Sequence, residues 1–225
     1  MPKSTKVRLV IVAHTDDAEL CAGGTIALWT QTDPVYYIIV TCGEKGSWER
    51  DTSPYDIAKM REGEALKAAE FLGVKKVIFL RHGDGAVSEV KTLKLELAAL
   101  VRKLKPSTIV SHDPWARWFH PDHRATGWAV IEAVMIARDY HFYPFLLELG
   151  LRPHRVEDLL LGPTDEPNFI VDISDTFKKK LEAIKIHESQ LNQLPDWERR
   201  ITRRAKVMGE IKRCDYGEGF YQLFI

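Results

Sequence analysis

The stretch VRLVIVAHTDD, residues 7 to 17, decides the fold. Val7 to Ala13 is almost continuously apolar, without the alternation of a half-solvated strand, so it reads as a strand covered on both faces, as in a parallel sheet. The run ends abruptly in His14-Thr15-Asp16-Asp17, and Glu19 to Thr30 then carries a helical pattern. In open parallel sheets ligands bind beyond the carboxyl ends of the strands, where the strand order reverses. A polar cluster at that place carries more information than the same residues elsewhere.

Outward from this strand the pattern repeats. Val35 to Thr41 and Lys76 to Leu80 read as strands, with a helix from Pro54 to Leu72, closed by Gly73, between them. A helix from Glu89 to Leu104 stops before Pro106, Thr108 to Ser111 is a fourth strand, and Arg124 to Arg138 a further helix. Such alternation is the mark of βαβ units. Beyond Asp139 comes an aromatic, proline-bearing stretch, then short strands at Asp158 to Leu161 and Asn168 to Asp172. Helices at Ser174 to Gln190 and Trp197 to Lys212 and a tail, YGEGFYQLFI, complete the reading. One α/β domain with a helical carboxy-terminal portion is expected.

The 225 residues carry 32 Lys+Arg against 32 Asp+Glu, a balance under which nucleic acid is not expected as a general partner. No run approaches the ~20 apolar residues of a membrane span. Met1 to Arg8 lacks the apolar core of a signal peptide. Three widely spaced thiols, Cys21, Cys42 and Cys214, give no disulfide framework and point to a reducing, cytoplasmic setting.

The fourth strand runs into His112-Asp113-Pro114 and then His120-Pro121-Asp122-His123. A lone strand-end Asp usually caps a helix and a lone His is usually a satisfied polar residue, but two such clusters at the ends of two parallel strands are harder to dismiss. Two imidazoles and one carboxylate bind Zn²⁺ and leave a coordination position open. His14 and Asp17 come from one turn, a histidine of the second cluster would complete the set, and Asp16 would be free to take a proton from water.

VAHTDDAELCAGGT resembles the first motif of the LmbE-like, or PIG-L, zinc-dependent deacetylases, A-H-P-D-D-x-E-x-x-x-G-G-T, and HPDHRATG resembles their second. MREGEALKAAEFLGV, LRHGDG, IHESQ and YGEGF fall where related segments occur in that family. Thr15 stands where proline is usual, which bears on the rigidity of the turn and not on a ligand. The resemblance implies a Rossmann-like three-layer sandwich with a mostly parallel sheet, one such domain over residues 1 to 225. It implies that His14, Asp17 and His123 bind Zn²⁺, with Fe²⁺ as an alternative metal, and that Asp16 is the general base. It further implies that His120 stabilises the oxyanion or protonates the leaving amine, that Asp122 orients His120, and that Arg61 and Asp84 contact substrate. The activity expected is removal of an acetyl or small acyl group from an N-acetylglucosamine-type amino sugar, by a homo-oligomer, trimer or hexamer.

Other residues allow more than one reading. Arg61 could equally form a surface pair with Glu62 or Glu64, and Asp84 could cap a turn. Glu19 could hold His14 or merely favour the helix start. Gly23-Gly24-Thr25 fits neither GxGxxG nor a P-loop, so the glycines are assigned to close helix packing against the sheet and a nicotinamide-dependent reaction is disfavoured. Cys21 reads as a packed core residue, Lys178 to Lys180 as a solvated face, and Trp115, Trp118 and Phe119 as a sugar platform or a contact surface. His187 has no evident chemical step. Two alternatives to deacetylation are a zinc-dependent hydratase or lyase acting on a small carboxylated metabolite, which an arginine-lined pocket would favour, and a non-catalytic metal- or sugar-binding module.

Overall fold

A computed structural model describes residues 6–116, 120–192 and 194–225. The first half alternates β1 (Arg8–Val12), α1 (Asp17–Trp29), β2 (Val35–Thr41), α2 (Pro54–Leu72), β3 (Lys76–His82), α3 (Leu93–Leu104), β4 (Thr108–Ser111) and α4 (Pro121–Arg138). There follow α5 (Phe145–Glu148), β5 (Asp158–Leu161), β6 (Phe169–Asp172), α6 (Phe177–Lys185), α7 (Glu188–Leu191), α8 (Trp197–Lys212) and β7 (Gly217–Phe224). Local chemistry sets several boundaries. Ser53 caps α2 by accepting from Tyr55 N–H, Pro54 occupies its first turn, and Gly73 ends it at φ 88°.

The sheet order among the described residues is β3-β2-β1-β4-β5-β7-β6. β3 through β5 are parallel, and β7 runs antiparallel to both β5 and β6. Alternate residues of each central strand pack on opposite layers. Leu9, Ile11, Ile38, Val40 and Ile109 meet α3 and α4, whereas Val10, Val12, Tyr37, Ile39 and Val110 meet α1, α2 and α6. Both faces are therefore covered, which is why β1 is apolar at nearly every position. The result is a Rossmann-like three-layer sandwich, and its strand order reverses between β1 and β4. None of its helices is long and apolar enough to cross a membrane, among the described residues.

The carboxy-terminal portion departs from the sequence reading. The tail forms β7, inserted between β5 and β6. Glu218 in its middle is buried and accepts from Gly24 N–H (2.9 Å), Thr25 N–H (2.7 Å) and Lys180 Nζ (2.6 Å). Lys180, expected on a solvated face, is thus an interior residue pinning α6 to β7. The glycines expected to pack on the sheet instead meet α6 and its approach: a Cβ on Gly23 would touch the Lys180 side chain, and one on Gly24 would overlap Ile173. The helix expected from Ser174 to Gln190 is divided, with α6 ending at Lys185 and His187 turned inward before α7.

Candidate active site

β1 delivers His14 to the carboxyl edge of the sheet, and the first turn of α1 delivers Asp17. The turn closes on itself, because His14 N–H donates to Asp17 Oδ2 at 2.7 Å. From α4, His123 reaches the same point. His14 Nδ1 lies 3.0 Å from His123 Nε2 and 3.2 Å from Asp17 Oδ2, and His123 Nε2 lies 3.1 Å from Asp17 Oδ1. Donors around one Zn²⁺ with bonds of ~2.0–2.1 Å stand about 3.3 Å apart, so this triangle of two imidazole nitrogens and a carboxylate fits a small divalent cation. Burial alone would raise the Asp17 carboxyl and lower the His14 imidazole. The field of His123, His112 and His14 instead holds Asp17 well below its ordinary value, and Asp17 with Asp122 and Asp84 holds His14 well above. A bound cation would take over the charge that imidazole protons otherwise supply.

Asp16 stands at the N-cap of α1, its side chain making no bond to the helix. Its Oδ1 accepts from Arg61 Nη2 at 2.8 Å, while Arg61 Nε donates to Thr15 Oγ1 at 3.1 Å and Nη1 to Gly43 O at 2.8 Å. Arg61 is 4% exposed, and a Cβ on either Gly43 or Gly46 would collide with its guanidinium. The arginine therefore does not pair with its helix neighbours, and Glu62 and Glu64 bond to Arg81 and Ser189 instead. Thr15, in place of proline, is tied down by this same arginine.

His120 caps α4, its Nδ1 accepting from Asp122 N–H at 3.3 Å, which leaves the ring proton on Nε2 in the neutral form. Its exposed ring stands edge-on to His14 with centroids 4.5 Å apart. Burial, with the positive fields of His14 and His123, lowers its pKa, so the neutral form prevails. The carboxylate of Asp122, expected to orient His120, is fully buried and accepts from Gly85 N–H (2.6 Å) and Val87 N–H (3.2 Å). It lies 3.4 Å from His14 Nε2, so Asp122 reaches His120 through its own backbone N–H. Asp84 is 6% exposed; its Oδ2 accepts from Lys45 N–H at 3.0 Å and its Oδ1 lies 3.2 Å from His14 Nε2.

The PIG-L family model, described as GlcNAc-PI de-N-acetylase, matches residues 9–134, the span that holds every residue of this constellation. The chain belongs to the PIG-L family. Diacetylchitobiose deacetylase of Thermococcus kodakarensis is 35% identical over 215 residues, 94% of this chain and 80% of that protein. N,N'-diacetylchitobiose deacetylase from Pyrococcus horikoshii, solved with its inhibitor, superposes with a TM-score of 0.91 at 34% identity, covering 98% of this chain and 85% of that one. A relative of different activity, 4-oxalmesaconate hydratase of Pseudomonas putida, is 26% identical over 241 residues, 97% of this chain and 90% of that protein.

Three features of this PIG-L chain were not assigned from sequence. His112, directly after β4, stacks on His123 (centroids 4.1 Å, planes 7° apart), and its Nε2 accepts from Ala13 N–H at 3.0 Å. Burial lowers it to about 4, so it is a neutral wall behind His123; its position in a His-Asp-Pro run at a strand end was the available signal. Glu19 does not reach for His14 but accepts from Tyr37 Oη (3.0 Å) and pairs with His187 Nε2 (3.2 Å), giving both residues a structural place. Trp115 stands edge-on to Trp128 beside a cavity of about 550 Å³ lined by Asp113, Thr164, Asp165, Glu166 and Tyr221 and by none of the site residues above. Trp118 and Phe119 lie outside the described residues. The Cys21 thiol is pushed up to about 12 by burial and is no nucleophile at neutral pH.

Proposed function

We propose that this PIG-L family protein is a zinc-dependent N-deacetylase of N-acetylglucosamine-type amino sugars, with His14, Asp17 and His123 holding the metal. The observation that carries the reading is the convergence of those three donors at 3.0–3.2 Å with the Asp16 carboxylate clamped on the neighbouring residue. When bound, the metal supplies a Lewis acid for the amide carbonyl and lowers the pKa of water toward about 7. The rest is done by the chain. Asp16, with one oxygen pinned by Arg61, offers the other to take the proton of the attacking water. His120 donates from Nε2–H to the carbonyl oxygen as negative charge develops there. Because His120 is neutral, the proton held by Asp16 is the one returned to the amide nitrogen as the C–N bond breaks, releasing acetate and a free amine.

The hydratase relative raises a second reading, in which a small polycarboxylate is the substrate. Such a substrate needs free cations to receive it, whereas Arg61, the arginine beside Asp16, is buried and bonded to the protein.

The same proposal takes residues 1 to 225 as one domain, supported by strands from Arg8 to Phe224 sharing one sheet. It takes the setting as cytoplasmic, in keeping with three free thiols, and the protein as a trimer or hexamer, in keeping with exposed Trp128, Met135, Tyr140 and Phe142. The roles are tested by a pair of variants. Asp17→Ala should lose the metal, while Asp16→Asn should keep it and lose turnover by about 10²–10⁴-fold. An Asp16→Asn enzyme of near-normal rate would remove the base assignment.

A further inference from the structure

Residues 187–190, His-Glu-Ser-Gln, bond to three separate elements that build the site. His187 is buried, and its Nε2 lies 3.2 Å from Glu19 Oε2 on the first turn of α1. Ser189 donates from its backbone N–H (2.9 Å) and its hydroxyl (2.6 Å) to the two carboxylate oxygens of Glu64, one turn past Arg61 on α2. Gln190 Nε2 donates to Gly46 O at 2.9 Å. None of the residues of α7 is buried, so polar bonds and not apolar packing set its place. The loop that Gln190 holds is the one that locks Arg61. Gly43 O accepts from Arg61 Nη1 at 2.8 Å and from Gly46 N–H at 3.0 Å. A Cβ on Gly46 would collide with Arg61 Nη1 and stand 3.1 Å from Gln190 Oε1, so guanidinium and amide both lie against this one glycine. Arg61 Nη2 in turn donates to Asp16 Oδ1 at 2.8 Å.

We infer that Gln190, with Ser189 beside it, is a positioning residue that braces Arg61 and, through it, the Asp16 carboxylate. The inference rests on the reading of Asp16 as the base of the proposed reaction. Its links are direct contacts, from Gln190 through Gly46, Gly43 and Arg61 to Asp16. Ser189 grips Glu64 and so keeps the stretch of α2 that carries Arg61 in register with the loop. An arginine has many rotamers, and one released from the loop would let Asp16 take several positions, whereas a base must meet its proton within hydrogen-bond reach.

The test measures coupling. Gln190→Ala and Gln190→Glu, the second keeping the size but lacking the N–H donor, are compared with wild type, Arg61→Ala and the Gln190→Ala/Arg61→Ala double variant. Steady-state kinetics are run on N,N'-diacetylchitobiose at saturating zinc, and zinc affinity is measured by chelator competition. The brace predicts kcat lower by about 10-fold in both Gln190 variants, with zinc affinity unchanged. It also predicts a double variant no slower than Arg61→Ala alone, because Gln190 acts through the arginine. Losses that multiply, a change confined to KM, a fall in zinc affinity, or a lower unfolding midpoint with wild-type kcat would each overturn it. Solvent exchange of Arg61 Nε–H, followed in ¹⁵N spectra of the zinc-loaded protein, gives a second reading that needs no turnover. It should quicken by about 5–10-fold in Gln190→Ala, and an unchanged rate would overturn the brace. A zinc-loaded wild type that releases no acetate would remove the proposed reaction and leave the brace to be decided by this exchange rate.

Discussion

The two segments that bring chemistry to the carboxyl edge of the sheet are built in opposite ways. After β1, four residues from His14 to Asp17 form a turn closed by its own hydrogen bond and clamped from α2 by the buried Arg61. After β4, the chain starts buried at His112 and Asp113, rises to Trp115 at 56% exposure, and returns through exposed His120 to the buried pair Asp122 and His123. The short turn holds a carboxylate where misplacement by about 1 Å can cost 10²-fold in rate. The longer connection exposes Trp115 on the same edge. Under the proposed function rigidity serves the reaction and accessibility serves selection, and each side can be broken separately.

The largest effect is expected on the rigid side. Arg61→Ala removes three hydrogen bonds at once and frees both the Thr15–Asp16 turn and the Gly43 loop. We expect kcat to fall by about 100-fold and stability by about 1–3 kcal/mol, measured by steady-state kinetics and urea unfolding. A change confined to KM would place Arg61 on the substrate and erase the contrast. Behind the same turn, burial favours neutral His187, but Glu19 outweighs it and holds the imidazole above its ordinary value of 6.5. A raised histidine stabilises the fold fully below the unfolded value and ceases to do so as pH rises through the folded one. The stability advantage of wild type over His187→Gln should therefore be about 1.5–3 kcal/mol near pH 6 and shrink above pH 6.5. An advantage that grows with pH would show the pair is not ionic.

The smallest effect is expected on the loop. Trp115→Ala removes an exposed ring that packs edge-on against Trp128. KM should rise by about 2–10-fold with kcat and unfolding midpoint nearly unchanged, as an aromatic contact of about 0.5–1.5 kcal/mol implies. A drop in kcat with constant KM would make the loop part of the catalytic geometry.

What could be read from the chain divides along related lines. Strands flanked by covered faces declare themselves by apolar runs, so β2, β4 and α2 coincide with the expected limits, and Val7 to Ala13 brackets β1. The HTDD and HPDH clusters pointed to one rim because strand ends are where such residues converge, and His14, Asp17 and His123 meet there from positions over a hundred residues apart. Partnerships were harder to see. Glu218 and Lys180 look like surface charges until each supplies the other's counter-charge in the interior, and so β7 was taken for a tail. The helix break before α7 arises because His187 turns toward Glu19 and Ser189 toward Glu64, contacts made across distant segments that periodicity cannot register. Arg61 and Asp122 share this property: their roles depend on which atoms fold places beside them, and spacing along a helix holds no trace of it.

The central claim is that this chain removes acetyl groups from amino sugars with a metal held by His14, Asp17 and His123. It is tested most directly by acetate release from N,N'-diacetylchitobiose after the metal has been stripped by a chelator and returned in measured amounts. The account predicts no release from stripped protein and full recovery at one equivalent of zinc per chain. Undiminished release from metal-free protein would contradict it.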